Sequence, residues 1–398
     1  MVNEPCIGVL GPIPLAAFGD ILPELGTAGG LDGLGGPPVH FHVRELLRRG
    51  RRVTLFTLDP AIEEERVFES ERLKICVGPY TQHRGRNWFR RERAYLLRAL
   101  QRERPAVLSA HWTYEFALAA IASGIPHVVT AHDAPWRVLR HDVSPYRLVR
   151  TAMAYQAARQ ARRLVAVSPY VAGHLRRFGF HGHPIDVIPN GLPPDLAAPA
   201  RPRPAGAAAT FAGIFSGGWQ GLKNGAALLD AFALLRRDLP QARLMMIGDG
   251  CEPGGSAALW AGARGIAAGI AFLGRLPHQR IVELLATEIG VLVHPSLEES
   301  FGMTLIEAGA LGAAVIAGRD SGAVPWVLGE GEYGLLVDVR SPAGIARAML
   351  HLARDQDMRS RLAAAAQSAV RDRFDITRVT DRYEEIFAQL SRPAAPGP

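Results

Sequence analysis

The segment 289-IGVLVHPSLEESFGMTLIEAGALGAAVIAG-318 leaves little freedom in how this chain can fold. It opens with an apolar run of strand type, 289–294, and passes through Pro295 and two adjacent carboxylates, Glu298 and Glu299. A helical pattern then runs from Met303 to Gly312, and a second apolar strand follows at 313–317. Strand, loop, helix, strand is the repeating unit of a parallel α/β sheet. Open sheets of that type bind ligands beyond the carboxyl ends of their strands, where this loop and helix start are predicted to lie. Free amides and the positive dipole end at a helix start favour an anion such as a phosphate. Glu299 and Glu307 would repel that anion, but they suit hydrogen bonds from sugar or ribose hydroxyls beside it. Two readings stand from these residues alone: a ligand with both a diphosphate and polyols, or carboxylates on an ordinary solvated helix.

The same rhythm fills both halves of the chain. At 398 residues the chain exceeds the usual size of a single core, so two α/β domains are expected. The first starts with the strand 6-CIGVLGPIP-14, a glycine-rich stretch 26-GTAGGLDGLGG-36, an amphipathic helix 39–50 and a strand 52–58. The glycine spacing is not that of a dinucleotide fingerprint, although glycines before a helix allow close backbone approach to a ligand. Further strands are predicted at 106–110, 127–131, 163–167 and 185–188, each ending in polar residues. These ends are His111-Trp112, His132-Asp133, Ser168-Pro169 and Pro189-Asn190-Gly191, which a single sheet would gather on one edge. A Pro/Ala-rich run around 192–209 reads as a linker, and a second series starts at 210-TFAGIF-215. It continues with the glycine-rich loop 216-SGGWQGLKN-224, a helix at 225–239 and the strand 242–248 ending in 248-GDG-250. The expected organisation is a domain over 1–195, a linker over 196–208 and a second domain over 209–372. A last helix at 373–390 would cross back to the first domain, ahead of a disordered tail at 391–398.

Charge and cysteines narrow the partners. Residues 1–195 hold 25 Lys/Arg against 18 Asp/Glu, while 196–398 hold 20 of each, so the whole +7 excess lies in the first half. It is densest in 84-RGRNWFRRERAYLLRALQRER-104, which reads either as a landing patch for an anionic membrane or acceptor, or as a solvated helix face with its aromatics in the core. No nucleic-acid module accompanies the charge. Cys6, Cys76 and Cys251 have no metal or disulfide spacing and are expected to be buried thiols. With no signal peptide pattern and no run of 18 apolar residues, a cytoplasmic protein is expected, with peripheral attachment at the inner face of the membrane as its only membrane contact.

The motifs 189-PNG-191, Lys223, 248-GDG-250 and 296-SLEESFGMTLIEAGALGAAVIA-317 together resemble the retaining nucleotide-sugar glycosyltransferases of family 4. The most specific part is E-S-F-G-x-x-x-x-E, from Glu299 to Glu307. The resemblance implies the GT-B fold, α/β with two Rossmann-like domains facing each other across a cleft. It also implies a donor nucleotide on the second domain and an acceptor on the first. Carried over by motif, Glu307 would bind the ribose and Glu299 the donor sugar, while Gly302, Met303 and Thr304 would offer backbone amides. Lys223 would neutralise the diphosphate, with Asn190 of the PNG motif also on the nucleotide-sugar side. Gly35 and Gly36 match the family's glycine pair before the first helix, with Gly29 and Gly30 as the other match. His132 would face the transferred sugar, with His111 and Asp133 on the acceptor side.

One departure stands out from that pattern. The family places an Arg shortly before the lysine, and 212-AGIFSGGWQGLKN-224 has none, so either the amides of Ser216, Gly217 and Gly218 or another basic residue would serve the diphosphate instead. The implied reaction is sugar transfer from a UDP- or GDP-sugar to a hydroxyl of a glycan, lipid-linked or small-molecule acceptor. A nucleotide-sugar donor would be the co-substrate, with no tightly bound cofactor and no metal. The alternatives are a disaccharide phosphorylase or synthase of the same fold, and a non-catalytic sugar-nucleotide-binding homologue.

Overall fold

In a computed structural model of the 398-residue chain, residues 5–27, 30–81, 84–141, 143–177, 184–197 and 209–391 are described. The chain forms two compact units, one of Met1–Pro193 with Ile376–Pro398 and the other of Pro194–Asp375. Most of the predicted linker, residues 198–208, and the tail from 392 lie outside the described residues, as does Gly29.

The first unit is built on an eight-stranded sheet. Its strands are β1 (Ile7–Leu10), β2 (Val53–Asp59), β3 (Arg66–Glu69), β4 (Leu73–Pro79), β5 (Val107–His111), β6 (His127–Ala131), β7 (Leu164–Ala166) and β8 (Ile185–Val187). Their order is β3-β4-β2-β1-β5-β6-β7-β8, and only β3 is antiparallel to its neighbour. The chain builds outward from β1 through β2 and then returns to lay β5 on the other side of β1. The order therefore reverses between β1 and β5, which makes a crevice at their carboxyl ends. The inner strands are buried along their whole length, because helices cover both faces of a parallel sheet.

The final helix, Ile376–Leu390, packs in this unit. Its apolar stripe buries Tyr383, Ile386 and Phe387. Tyr383 Oη and Thr130 Oγ1 share a hydrogen bond of 2.9 Å, and His42 Nδ1 lies 3.2 Å from Thr380 Oγ1. Arg49 donates to both Asp381 and Glu384 and tethers the helix at the surface.

The second unit holds a parallel sheet of β9 (Thr210–Phe215), β10 (Arg243–Gly248), β11 (Ile270–Gly274), β12 (Val291–His294), β13 (Ala314–Gly318) and β14 (Leu335–Val337). The order β11-β10-β9-β12-β13-β14 reverses between β9 and β12. Phe211, Phe232, Met246, Val291, Ile316 and Met349 belong to its apolar core. The long helical stretch predicted over 341–370 is two helices, Pro342–Arg354 and Gln356–Arg373. Asp355 divides them, and its carboxylate accepts from the Met358 amide at 2.8 Å to cap the second.

Several elements differ from expectation. The hairpin of β3 and β4 and the helices Pro135–His141, Pro169–Arg177 and Ser256–Ala263 were not predicted. Cys6 is only half buried, its thiol 3.3 Å from Thr54 Oγ1, whereas Cys76 and Cys251 are buried. In the arginine-rich segment the helix is Arg90–Glu103; Phe89 and Tyr95 are buried while Trp88 is exposed. Arg102 there is paired with Glu65 and Glu103, as expected of a solvated face. No helix of the described residues is long and apolar enough to cross a membrane.

Gly36 begins the Pro37–Arg48 helix with φ 100°, and a Cβ there would lie 2.3 Å from the Pro12 carbonyl oxygen. Left-handed backbone and a close carbonyl both demand glycine. Replacement G36A is expected to cost about 1–3 kcal/mol, read as a lower urea midpoint. A midpoint equal to wild type would show that the backbone does not approach this closely.

Candidate active site

The reversal in the second sheet explains how residues 76 positions apart meet. The loop after β9 and the loop after β12 leave neighbouring strands at the same edge. Lys223 closes a short 3₁₀ turn, Gly221–Lys223, and Asn224 follows in the left-handed region at φ 54°. The Asn224 side-chain amide donates to the carbonyls of Pro295 and Val339 at 3.1 and 2.9 Å, and the Leu297 amide donates to the Leu222 carbonyl at 2.8 Å. These bonds lock the two loops together. They hold Lys223 Nζ 2.7 Å from Glu299 Oε1.

The same Glu299 oxygen lies 3.0 Å from His294 Nε2, and His294 Nδ1 is 3.3 Å from Thr304 Oγ1. Burial pushes the Glu299 carboxyl up, but the Lys223 ammonium and the His294 imidazole outweigh it and hold the group well below the usual carboxylate range. With side-chain exposures of 13 % for Glu299 and 26 % for Lys223, the pair is shielded and stronger than a surface ion pair. Its backbone is fixed as well: the Glu299 carbonyl accepts from the Ala323 amide at 2.8 Å, and Gly322 passes so close that a Cβ would lie 2.3 Å from that oxygen.

Gly302, at φ 91°, precedes the Met303–Ala310 helix and supplies no capping side chain. Met303 and Thr304 are half buried at its first positions. Glu307 is buried one turn in and meets His278 Nε2 at 2.9 Å. That hydrogen bond raises the His278 pKa against the opposing effect of burial. Ser216 and Gly217 are exposed and Gly218 half buried after β9, with φ 77° and 103° at the two glycines and open space where their side chains would be.

The remaining candidates lie in the first unit. His111, the last residue of β5, has its Nδ1 2.9 Å from His132 Nε2 and its Nε2 3.2 Å from Ser109 Oγ. Trp112, at φ 65°, stacks on the His132 ring with centroids 4.2 Å apart. Burial pushes the pKa of His111 down to about 3 and that of His132 well below its ordinary value, and the positive charge each would share with a neighbouring imidazole adds to the effect. Both rings are therefore neutral at pH 7. Asp133 accepts from Tyr114 Oη at 2.6 Å, and burial raises its pKa. Gly35 and Gly36 stand at the helix start already described, and Asn190 is buried beside Gly191, which packs against Ile376.

Lys223, Glu299, Gly302, Met303, Thr304, Glu307 and the Ser216–Gly218 loop thus share one unit; His132, Gly35, Gly36 and Asn190 share the other. His294, His278 and Asn224 were not singled out from the sequence. His294 had a readable signal, since it ends a strand just as His111 does. His278 had none beyond its place at a helix start. Among the described residues no group of three or more His, Cys, Asp or Glu is arranged to hold a metal ion.

This architecture is that of a GT-B protein. The fold is similar to sucrose-phosphate synthase from Thermosynechococcus elongatus, with a TM-score of 0.76 at 17 % identity over 97 % of this chain and 99 % of that one. It is also similar to a glycosyltransferase from Rickettsia africae, with a TM-score of 0.67 at 14 % identity over 98 % of this chain and 100 % of that one. Residues 39–196 match the profile of "Glycosyltransferase Family 4" and residues 213–369 that of "Glycosyl transferases group 1". The chain belongs to the family 4 glycosyltransferases.

Among curated relatives it is 31 % identical to the D-inositol 3-phosphate glycosyltransferase of Streptomyces scabiei over 63 % of this chain and 59 % of the relative. It is 29 % identical to the N-acetyl-alpha-D-glucosaminyl L-malate synthase of Bacillus anthracis over 42 % of each. The match thus spans only about half the length of these relatives.

A carboxyl that titrates lower in the folded chain than in the unfolded one adds stability above the unfolded value, near 4.5 for Glu299, and loses it as pH falls through the folded value. The E299Q variant is therefore expected to be about 2 kcal/mol less stable at pH 7, with the deficit shrinking below about pH 4. Urea midpoints at pH 7 and pH 3 measure this. An equal deficit at both would rule out the ion pair as its source.

Proposed function

We propose that the protein transfers a sugar from a nucleotide-diphosphate sugar to a hydroxyl of a small, anionic acceptor, with retention at the anomeric carbon. The observation that carries this reading is the meeting of Lys223 with Glu299 beside the start of the Met303–Ala310 helix. A lysine, a helix start and a glycine loop form a cradle for a diphosphate. Fixed carboxylates beside it suit hydroxyls. In this reading Lys223 turns from Glu299 to the diphosphate, and Glu299 is then free to accept from a sugar hydroxyl. Glu307 accepts from the ribose. The amides of Ser216, Gly217 and Gly218, with those of Gly302, Met303 and Thr304, serve the phosphate and sugar oxygens.

In the first unit, neutral His132 donates a hydrogen bond to the transferred sugar. A consistent proton arrangement has Ser109 donating to His111 and His111 donating to His132, which leaves His132 Nδ1 as a donor. Gly35 and Gly36 let the acceptor or diphosphate approach the backbone, and Asn190 supports the sugar side. The bond from the anomeric carbon to phosphate breaks while the bond to the acceptor oxygen forms on the same face. The leaving phosphate takes the acceptor proton. Lys223 and the helix amides stabilise the developing charge.

Support for a small acceptor comes from the relatives named for inositol 3-phosphate and L-malate, both compact anions, and from the basic first half of the chain. This favours the synthase alternative over a glycan or lipid-linked acceptor. One observation favours a second reading, donor binding without transfer: no arginine precedes Lys223 in the loop after β9.

The test is a panel of UDP-, GDP- and ADP-sugars, scored by calorimetric binding and by slow hydrolysis without acceptor. One donor is expected to bind and to hydrolyse. K223A should lower its turnover about 100-fold or more, and E307A should raise its dissociation constant about tenfold. Binding with no hydrolysis or transfer would support the second reading. Variants indistinguishable from wild type would remove the proposed roles.

A further inference from the structure

Away from these groups, a pocket of about 390 Å³ opens in the first unit between the Pro135–His141 and Pro169–Arg177 helices. Arg137 and Arg140 line it from the first helix and Arg177 from the second, together with Trp136, Tyr170 and His174. Several other arginines of this unit are ion-paired, among them Arg44 with Asp20, Arg49 with Asp381, Arg102 with Glu65 and Arg163 with Asp186. The three pocket arginines differ. Among the described residues none of them has an acidic partner, and Arg137 instead faces the Tyr170 ring at 6.0 Å. His174 is buried, and burial, followed by the Arg137 charge, pushes its pKa down to about 4, so the ring adds a hydrogen-bonding group and no charge. Three arginines lining one concavity concentrate positive charge there, which an entering anion would offset. Guanidinium is also the group best shaped for bidentate contact with phosphate oxygens.

Two further features narrow the ligand. Trp136 keeps 40 % of its surface exposed at the pocket, a flat apolar face of the kind on which the C–H face of a sugar or cyclitol ring stacks. The first helix begins three residues after His132, at the carboxyl end of β6, and the second follows β7 at the same sheet edge. From Pro135 to Arg140 the helix rises roughly 8 Å, about the length of a phosphorylated hexose.

We propose that this pocket binds the phosphate ester of a phosphorylated sugar or cyclitol, with its ring on Trp136, and so selects a phosphorylated acceptor. The acceptor role rests on the function proposed above; the phosphate site itself does not.

The experiment titrates the full chain by calorimetry with inorganic phosphate, glucose 6-phosphate and myo-inositol 3-phosphate, with glucose as the uncharged control and UDP as the donor-side control. At least one ester is expected to bind and glucose is not. R140A and R177A should each weaken the ester about tenfold and R137A/R177A about 100-fold, with UDP affinity unchanged. W136L should weaken the ester but not inorganic phosphate. A parallel arm sediments the chain with vesicles containing phosphatidic acid. Sedimentation lost in the arginine variants, without binding of either soluble ester, would place the phosphate in a lipid headgroup and overturn the soluble acceptor. No binding of any phosphate probe, or binding indifferent to the arginine substitutions, would overturn the site. Ester binding without UDP binding would count against the donor reading and leave the pocket standing.

Discussion

The half-buried pair between Lys223 and Glu299 depends on one topological fact, the reversal of strand order between β9 and β12. A chain that builds a parallel sheet outward and then returns to its first strand leaves two loops side by side at the carboxyl edge. The lysine comes from one loop and the carboxylate from the other. Neither loop could hold its charge in place alone. The Asn224 amide, reaching carbonyls from two distant segments, and the amide of Leu297 on the carbonyl of Leu222 make the two loops one rigid piece. The partial burial of a charge pair costs desolvation, and the cost is offset here because His294 shares the carboxylate.

The first unit uses the same reversal, between β1 and β5, with different chemistry. Its strand end carries imidazoles that burial keeps neutral, backed by Ser109 and stacked by Trp112. A neutral ring at such a place can donate or accept without adding charge. The last helix closes this region from behind. Tyr383 bonds to Thr130 on β6 and packs against the His42 ring at 4.7 Å, so a segment distant in sequence supports the strand that leads to His132. The arginines of the unit divide by neighbourhood. Several pair with carboxylates, and three that line one cavity have no acidic partner among the described residues.

Much of this was legible in the residues. The runs that became β6 and β9 were readable to the residue, because strands buried along their whole length carry no charged residue to interrupt the pattern. The helix start at Met303 and the place of Glu307 one turn in followed from the glycine and the period. The β3–β4 hairpin escaped notice because β3 is mostly exposed and carries a charge at each end. The short helices at Pro135 and Pro169 were hidden by prolines at their first positions, which read as breaks although proline suits a helix start.

The sequence by itself determined the class of fold, the two-part organisation and the motif from Glu299 to Glu307, since periodicity and local spacing are properties of contiguous residues. Only the tertiary structure decided that Lys223 is held by Glu299, that His294 and His278 each hold a carboxylate, and that Arg137, Arg140 and Arg177 share a pocket. Apart from His294, which lies five residues from Glu299, each of these joins groups brought together by strand order and helix packing rather than by nearness in sequence. Hydrogen bonds and ion pairs act over about 3 Å, and no one-dimensional pattern records which distant residues will come within that reach.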